Sequence, residues 1–347
     1  MTTDDRDPQS NGPAVGNPPT VEASGPKTTG GARRDQKREP FRKTKRSGVQ
    51  LSRTPDYLLI GHITADLQPD GSVVLGGTAL YSALTASRLG ARVAILTRGV
   101  FGTEVAGMKV PNLDILSDEN IQIVVQEAAV PTTFINDYQA DRRVQTLPHW
   151  AGDIDLRGLP PHWRNTKVVH LGPIADEIDA RQCTGLTTQF LGATPQGWMR
   201  DWPRQTGGKV QHIQLRLPGA LLGQIDCAIV SVDEIAWSRD VIQQVGDRRL
   251  GVITQGADGA RIIAGGQKFE LPGFKVPIKS LDGAGDVFAA AFFLKASDRT
   301  VSAEKAGTFA NAVAALSLSE IGAQSVPHMK DVDALLATGS RGLRPRT

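Results

Sequence analysis

The residues best placed to do chemistry lie in Ser280-Leu281-Asp282-Gly283-Ala284-Gly285-Asp286, followed by a run from Val287 to Lys295 that is apolar on most sides. Two glycines and an alanine make a tight turn with almost no side chain, leading straight into a buried helix. A helix that begins with small residues presents backbone N–H groups and the positive end of its dipole, a setting that suits an anionic phosphate. Asp286 falls in the first turn, beside that anion position, where its carboxylate can accept a proton from a hydroxyl as phosphate arrives. The dipole alone also favours an acidic residue in a first turn. On this stretch by itself, a catalytic base and a dipole-stabilising carboxylate both fit the spacing.

Such a turn has to be held by the elements around it. Tyr57-Leu58-Leu59-Ile60-Gly61 reads as a buried parallel strand. Pro69-Asp70-Gly71 marks a turn between two short extended pieces, so 62–76 reads as a hairpin. Gly76-Gly77 then opens a helix over 78–89, ended by Gly90, and a strand follows over 93–97. The stretch 121–147 returns to extended character, with strands expected over 121–126, 132–136 and 143–147. With the hairpin, these make a small sheet projecting from the main domain. Short apolar strands at 168–171, 192–194, 228–231 and 251–254 then alternate with loops and helical stretches. From Gly283 onward the chain reads as mostly helical, over 284–297 and 301–320, with a short helix near 329–337. This alternation predicts an α/β fold, an open and mostly parallel sheet with helices on both faces. Ligands then bind beyond the carboxyl ends of the strands.

A chain of 347 residues, 40% apolar and 22% charged, suits a soluble globular protein with one large α/β domain or two small ones. No stretch approaches the roughly 18–20 apolar residues that span a bilayer. The polar N-terminus lacks the apolar run of a signal peptide. Cys183 and Cys227 are too few for a disulfide framework or a zinc site, and a reducing cytoplasm is expected. The six histidines (His62, His149, His162, His170, His212 and His328) show no ligand spacing, so no metal is assigned to them. Residues 1–54 hold eleven Lys/Arg against six Asp/Glu, which leaves the rest of the chain close to neutral. That segment is charged, rich in Pro and Gly and poor in β-branched residues, and reads as a disordered basic tail. Its charge reads as solvated, with nucleic acid not expected as a partner. The ordered domain is expected over 55–340.

Gly283-Ala284-Gly285-Asp286 with Val287-Phe288-Ala289-Ala290-Ala291-Phe292 resembles the C-terminal signature of the PfkB-family carbohydrate kinases, which have a ribokinase-like fold. The resemblance implies an anion hole at Gly283, Ala284 and Gly285 for the transferred phosphoryl group, with Asp286 as catalytic base. Other segments follow in the family's order. Gly61-His62-Ile63-Thr64-Ala65-Asp66 resembles the first strand, implying that Asp66 binds acceptor hydroxyls. Gly76-Gly77-Thr78 resembles the N-terminal signature and implies further acceptor contacts. Gly102-Thr103-Glu104 with Gly107 resembles the G-x-D-x-x-G turn, and Pro131-Thr132-Thr133-Phe134 the lid strand. Ser231-Val232-Asp233-Glu234 stands at N-x-x-E, implying that Glu234 orders water around magnesium. Thr254-Gln255-Gly256-Ala257-Asp258-Gly259 resembles the nucleotide loop, so Thr254, Gly256 and Gly259 would line the nucleotide with Asn311.

The implied protein is a kinase that moves the γ-phosphoryl of ATP, with Mg²⁺, to an alcohol of a sugar, polyol or nucleoside. The implied lid, about 62–76 and 121–147, covers the acceptor, and many relatives dimerise through it. Phe134, Tyr138 and Trp150 are expected to pack. Gln196 and Arg200, after a central strand, are within reach of the site. Two other classes are open: a ribokinase-like sensor that binds without turnover, and a dinucleotide-dependent oxidoreductase. Against the latter, no G-x-G-x-x-G follows the first strand.

Four departures stand out: Thr78 for Asn, Glu104 for Asp, Ser231 for Asn, and Ser280-Leu281 where an aspartate usually precedes the glycine turn. In relatives that aspartate helps build a monovalent-cation site. Potassium should therefore stimulate turnover weakly or not at all when compared with tetramethylammonium at matched ionic strength. A large potassium-specific rise would show that other groups rebuild the site.

Overall fold

The computed structural model describes residues 45–46, 53–139 and 142–337. Most of the basic tail lies outside them, but Lys45–Arg46 forms a two-residue strand antiparallel to Val124 and Val125.

The apolar segments assemble into one ten-stranded sheet. Its order is Lys45–Arg46, Gln122–Glu127, Val93–Gly99, Tyr57–Ile60, Val168–Leu171, Phe190–Ala193, Cys227–Ser231, Leu250–Thr254, Ala260–Ala264 and Gln267–Leu271. The strands from Gln122–Glu127 to Leu250–Thr254 pair in parallel, and both edges are antiparallel. Strand side chains alternate between faces, so the sheet separates two cores. Tyr57 and Leu59 point into one, while Leu58 and Ile60 point into the other.

Four helices matter for the site: α1 (Thr78–Arg88), α2 (Ile235–Arg248), α3 (Ala284–Ala296) and α4 (Ala303–Ser317). Helices α1, α3 and α4 share the first core, and α2 covers the second. Because α3 packs against the sheet, α1 and α4 together, a helix apolar on all sides is what burial demands there.

A second sheet projects from the strand ends, in the order Gly208–Lys209, Arg142–His149, Thr133–Gln139, Thr64–Leu67 and Val73–Gly76. The expected hairpin at 62–76 is present. The strand expected at 121–126 is not part of this lid: Gln122–Glu127 pairs in parallel with Val93–Gly99 inside the large sheet. Its consecutive buried Gln-Ile-Val is the run of an interior strand, not the alternation of a lid strand.

The lid gains instead Gly208–Lys209, from a segment that follows the strand Phe190–Ala193 and folds back as Arg200–Asp201 against Gln211–His212. Arg204 pins that segment. Its guanidinium lies over Trp150 at 4.9 Å and Trp202 at 4.7 Å and pairs with Asp176. Phe134 packs with Leu147, Ile174 and Trp202, and Trp150 lies against this cluster. The Tyr138 side chain lies outside the described residues.

Phe293 on α3 is fully buried, with its ring edge-on to His170 at 4.8 Å. A Cβ at Gly192 would come within 2.6 Å of that ring. Phe293→Ala should therefore lower the unfolding free energy by about 3–5 kcal/mol, read from urea denaturation.

Candidate active site

The glycine turn is shaped by backbone geometry. Gly283 is the residue before α3, with φ +74°, and a Cβ there would lie 2.3 Å from the Tyr81 ring of α1. Both facts require glycine. The Ala284 N–H turns back to Leu281 O at 3.3 Å, and Val287 N–H bonds Gly283 O at 2.8 Å. Between them Gly285 stands in open space, with nothing within 4 Å of an added Cβ. Asp286 follows, half-buried, with its carbonyl accepting from Ser82 Oγ of α1 at 3.0 Å.

Three clefts converge on this turn. The largest, about 550 Å³, opens under the lid and is lined by Asp66, Gly76, Gly77, Gly283, Gly285 and Asp286. Polar side chains along its wall include Gln68, Asn136, Gln145, Gln196 and Arg200. The second, about 400 Å³, is lined by Thr254, Gly256, Gly259, Ala284, Gly285 and Asn311 and has apolar walls from Phe274, Val276, Ile278 and Leu318. The third, about 80 Å³, joins them and contains Thr78, Thr194, Ser231, Glu234, Thr254, Gly285 and Asp286. Gly285 borders all three.

The residues expected to serve the anion hole, the acceptor, the nucleotide and magnesium therefore all border these three clefts. Thr78 is the one placed differently from its expected companions: it is buried and faces the small cleft, while Gly76 and Gly77 face the large one. A Cβ at Gly76 would lie 2.8 Å from Asp66 Oδ2 and 3.1 Å from Oγ1 of Thr64, its partner across the hairpin. Gln196 and Arg200 do reach the large cleft. Arg200 is buried over the Phe134 ring at 5.1 Å and donates to Ile174 O at 2.7 Å and Gln145 Oε1 at 2.8 Å. Gln145 in turn donates to Asn136 Oδ1 at 2.9 Å.

Glu234 is buried, and each of its oxygens is held. Oε1 accepts from Gln196 Nε2 at 2.6 Å and Oε2 from Ser231 N–H at 2.9 Å, the second as part of a capping box. Among the described residues no group of three or more His, Cys, Asp or Glu could hold an ion. The small cleft nevertheless offers two carboxylates, Glu234 and Asp286, beside the hydroxyls of Thr78, Thr194, Ser231 and Thr254. That set fits Mg²⁺, which keeps most of its water and binds through one or two carboxylates and phosphate oxygens.

Several site-shaping residues escape sequence reading. Glu177 is fully buried and accepts backbone N–H bonds from His62 (2.8 Å), Ile174 (3.0 Å) and Ala175 (2.7 Å), fixing two loops that border the lid. Tyr81 lies under the glycine turn and lines the large cleft. Burial, with the charges of Asp282, Asp286 and Asp66, raises its phenol well above its ordinary value. His170 is fully buried, 2.8 Å from both the Tyr57 hydroxyl and Thr194 Oγ1. Burial pushes its pKa down to about 3. A histidine inside the otherwise apolar strand Val168–Leu171 was the available signal, because a buried imidazole has to find partners.

An open α/β sheet with a β-lid over its strand ends and a glycine turn between two clefts defines the ribokinase-like architecture. Comparison with known proteins agrees. Residues 220–329 match the family described as pfkB family carbohydrate kinase. A ribokinase of Bacillus subtilis (strain 168) is 38% identical over 86 residues, 24% of this chain and 29% of that protein. An ATP-dependent ribose-1-phosphate kinase of Halopiger xanaduensis is 34% identical over 134 residues, 35% of this chain and 45% of that protein. The chain thus spans less than half the length of these curated relatives in the matched segments. A sulfate complex of a pyrophosphate-dependent kinase in the ribokinase family superposes with a TM-score of 0.65 at 21% identity, covering 80% of this chain and 99% of that one. A structure of such a kinase with a pyrophosphate analogue and myo-inositol gives 0.63 at 21% identity, with the same coverage. The family match thus rests on residues 220–329, and the structural likeness shows the ribokinase fold through the described domain.

The buried histidine has a pH signature. The unfolded chain takes up a proton at about 6.5 that native His170 refuses until about 3. Stability is therefore lost as pH falls through that window, by up to about 1.4 kcal/mol per pH unit from this group. Burial depresses His62 too, which adds in the same direction. Urea midpoints should drop between pH 7 and pH 5 while the His170 ring resonances stay unchanged. A shift of those resonances with an apparent pKa near 6 would contradict the buried neutral state.

Proposed function

We propose that this protein transfers the γ-phosphoryl group of ATP to a hydroxyl of a neutral polyol or sugar. The observation that carries the reading is the meeting of three clefts at Gly285 and Asp286. An acceptor in the large cleft presents its hydroxyl to Asp286, which takes the proton as the oxygen attacks. The first turn of α3 faces the phosphoryl group with its dipole. Thr254, Gly256, Gly259 and Asn311 border the donor.

The donor cleft favours a nucleotide. Phe274, Val276, Ile278 and Leu318 give it apolar walls suited to a base, which inorganic pyrophosphate would leave unused. The pyrophosphate-dependent kinases among the structural neighbours share 21% identity with this chain and speak to its fold. The acceptor cleft favours a neutral polyol. Asp66, Asp282 and Asp286 all border it, so an anionic acceptor meets repulsion that one guanidinium, Arg200, only partly offsets. Carboxylates and the amides of Gln68, Asn136, Gln145 and Gln196 offer paired donors and acceptors for vicinal hydroxyls. When bound, Mg²⁺ would supply charge neutralisation at the donor's phosphates, with Glu234 as the carboxylate on the protein's side. The lid would exclude water from the acceptor. A homodimer joined through it is the assembly this reading favours.

Turnover should be found with ATP and not with pyrophosphate in an assay against a panel of polyols and sugars. In that assay Asp286→Asn should cut kcat by about 10²–10⁴-fold while ATP affinity and Tm stay near wild type. If Asp286 served only the dipole, its loss would cost about 0.3–1 kcal/mol of stability and leave the rate alone. Nucleotide binding with no transfer to any alcohol would identify a sensor instead.

A further inference from the structure

Tyr57, His170 and Thr194 form a hydrogen-bonded line from the core to the small cleft. Tyr57 and His170 are fully buried, and the two contacts are each 2.8 Å. The Tyr57 hydroxyl has one hydrogen-bond partner among the described residues, Nδ1 of His170. The imidazole is held neutral by burial, so it carries one proton on one nitrogen. A proton on Nδ1 would leave the buried phenol proton without an acceptor, an arrangement that native proteins avoid. The phenol therefore donates to Nδ1, and Nε2–H donates to Thr194 Oγ1. The Phe293 ring, edge-on at 4.8 Å, keeps the imidazole in that plane.

This direction fixes the threonine. Its oxygen accepts a hydrogen bond from His170 Nε2–H, so its own hydroxyl hydrogen points elsewhere. Thr194 borders the small cleft that also holds Asp286, Glu234 and Gly285. We propose that the Thr194 hydroxyl donates a hydrogen bond to a phosphate oxygen of the donor during transfer, with Tyr57 and His170 as positioning residues that set its direction. The role rests on the kinase reading above, whereas the direction of the line stands without it. No proton changes owner along the line.

Three measurements test this. Ring ¹⁵N shifts of labelled histidine should show His170 protonated on Nε2 and bare on Nδ1 between pH 6 and pH 8. Observation of the Nδ1–H form would overturn the proposal. Thr194→Val should lower kcat about ten- to a hundredfold, with little change in acceptor KM. Thr194→Ser, which restores the hydroxyl, should recover most of the rate, and Tyr57→Phe should fall between.

A third measurement does not need turnover. Thr194→Val should weaken binding of β,γ-imido-ATP with Mg²⁺ and leave adenosine binding unchanged. If wild type binds the analogue and transfers to no alcohol, the kinase reading fails, and the analogue still decides the role of Thr194. Equal analogue affinity and equal kcat in wild type and Thr194→Val would overturn the proposal, as would wild type that binds no analogue.

Discussion

The Tyr81 ring occupies the space where a Cβ on Gly283 would fall, at 2.3 Å, and this contact sets how α1 meets the start of α3. Ser82, the next residue of α1, donates to the Asp286 carbonyl at 3.0 Å. Two successive side chains of one helix therefore hold the turn and the backbone of Asp286. The other end of the arrangement depends on the same helix. Gly77, just before α1, has φ +86° and approaches His62 O and Thr64 too closely for any side chain. Thr64 begins the strand that carries Asp66. A single helix thus sets the separation of Asp66 from Asp286. Any residue larger than glycine at 77 or 283 would move one of them relative to the other.

Much of this was legible in the sequence. The hairpin at 62–76, α1, the parallel strands and α3 follow from local signals: turn residues, a glycine pair opening a helix, and apolar runs of strand length. The residues expected to serve the anion hole, the acceptor, the nucleotide and magnesium border the three clefts for the same reason, since strand ends and helix starts are what the signals mark. Three features were not legible. The strand Gln122–Glu127 has an extended pattern that does not reveal which sheet it joins, because that depends on a partner, Val93–Gly99. The excursion through 200–212 is held by Arg204 against Trp150 and Asp176, which are distant in sequence. Glu177 acts on backbone N–H groups of two loops, and backbone partners leave no trace in side-chain pattern.

The excursion that ends in Gly208–Lys209 changes what kind of cover the lid is. The lid is tied to the large sheet at several strands, Gln122–Glu127, Tyr57–Ile60 and Val168–Leu171, and through the excursion also at Phe190–Ala193. A flap on one hinge swings, whereas a sheet attached at several strands is an arch. An arch has less conformational freedom to lose when an acceptor enters. It also hides less new apolar surface on closing, so acceptor binding carries a correspondingly small negative heat-capacity change. Molecules would then enter through the open ends of the arch and not beneath a rising edge, and the span of the arch becomes a limit on their girth.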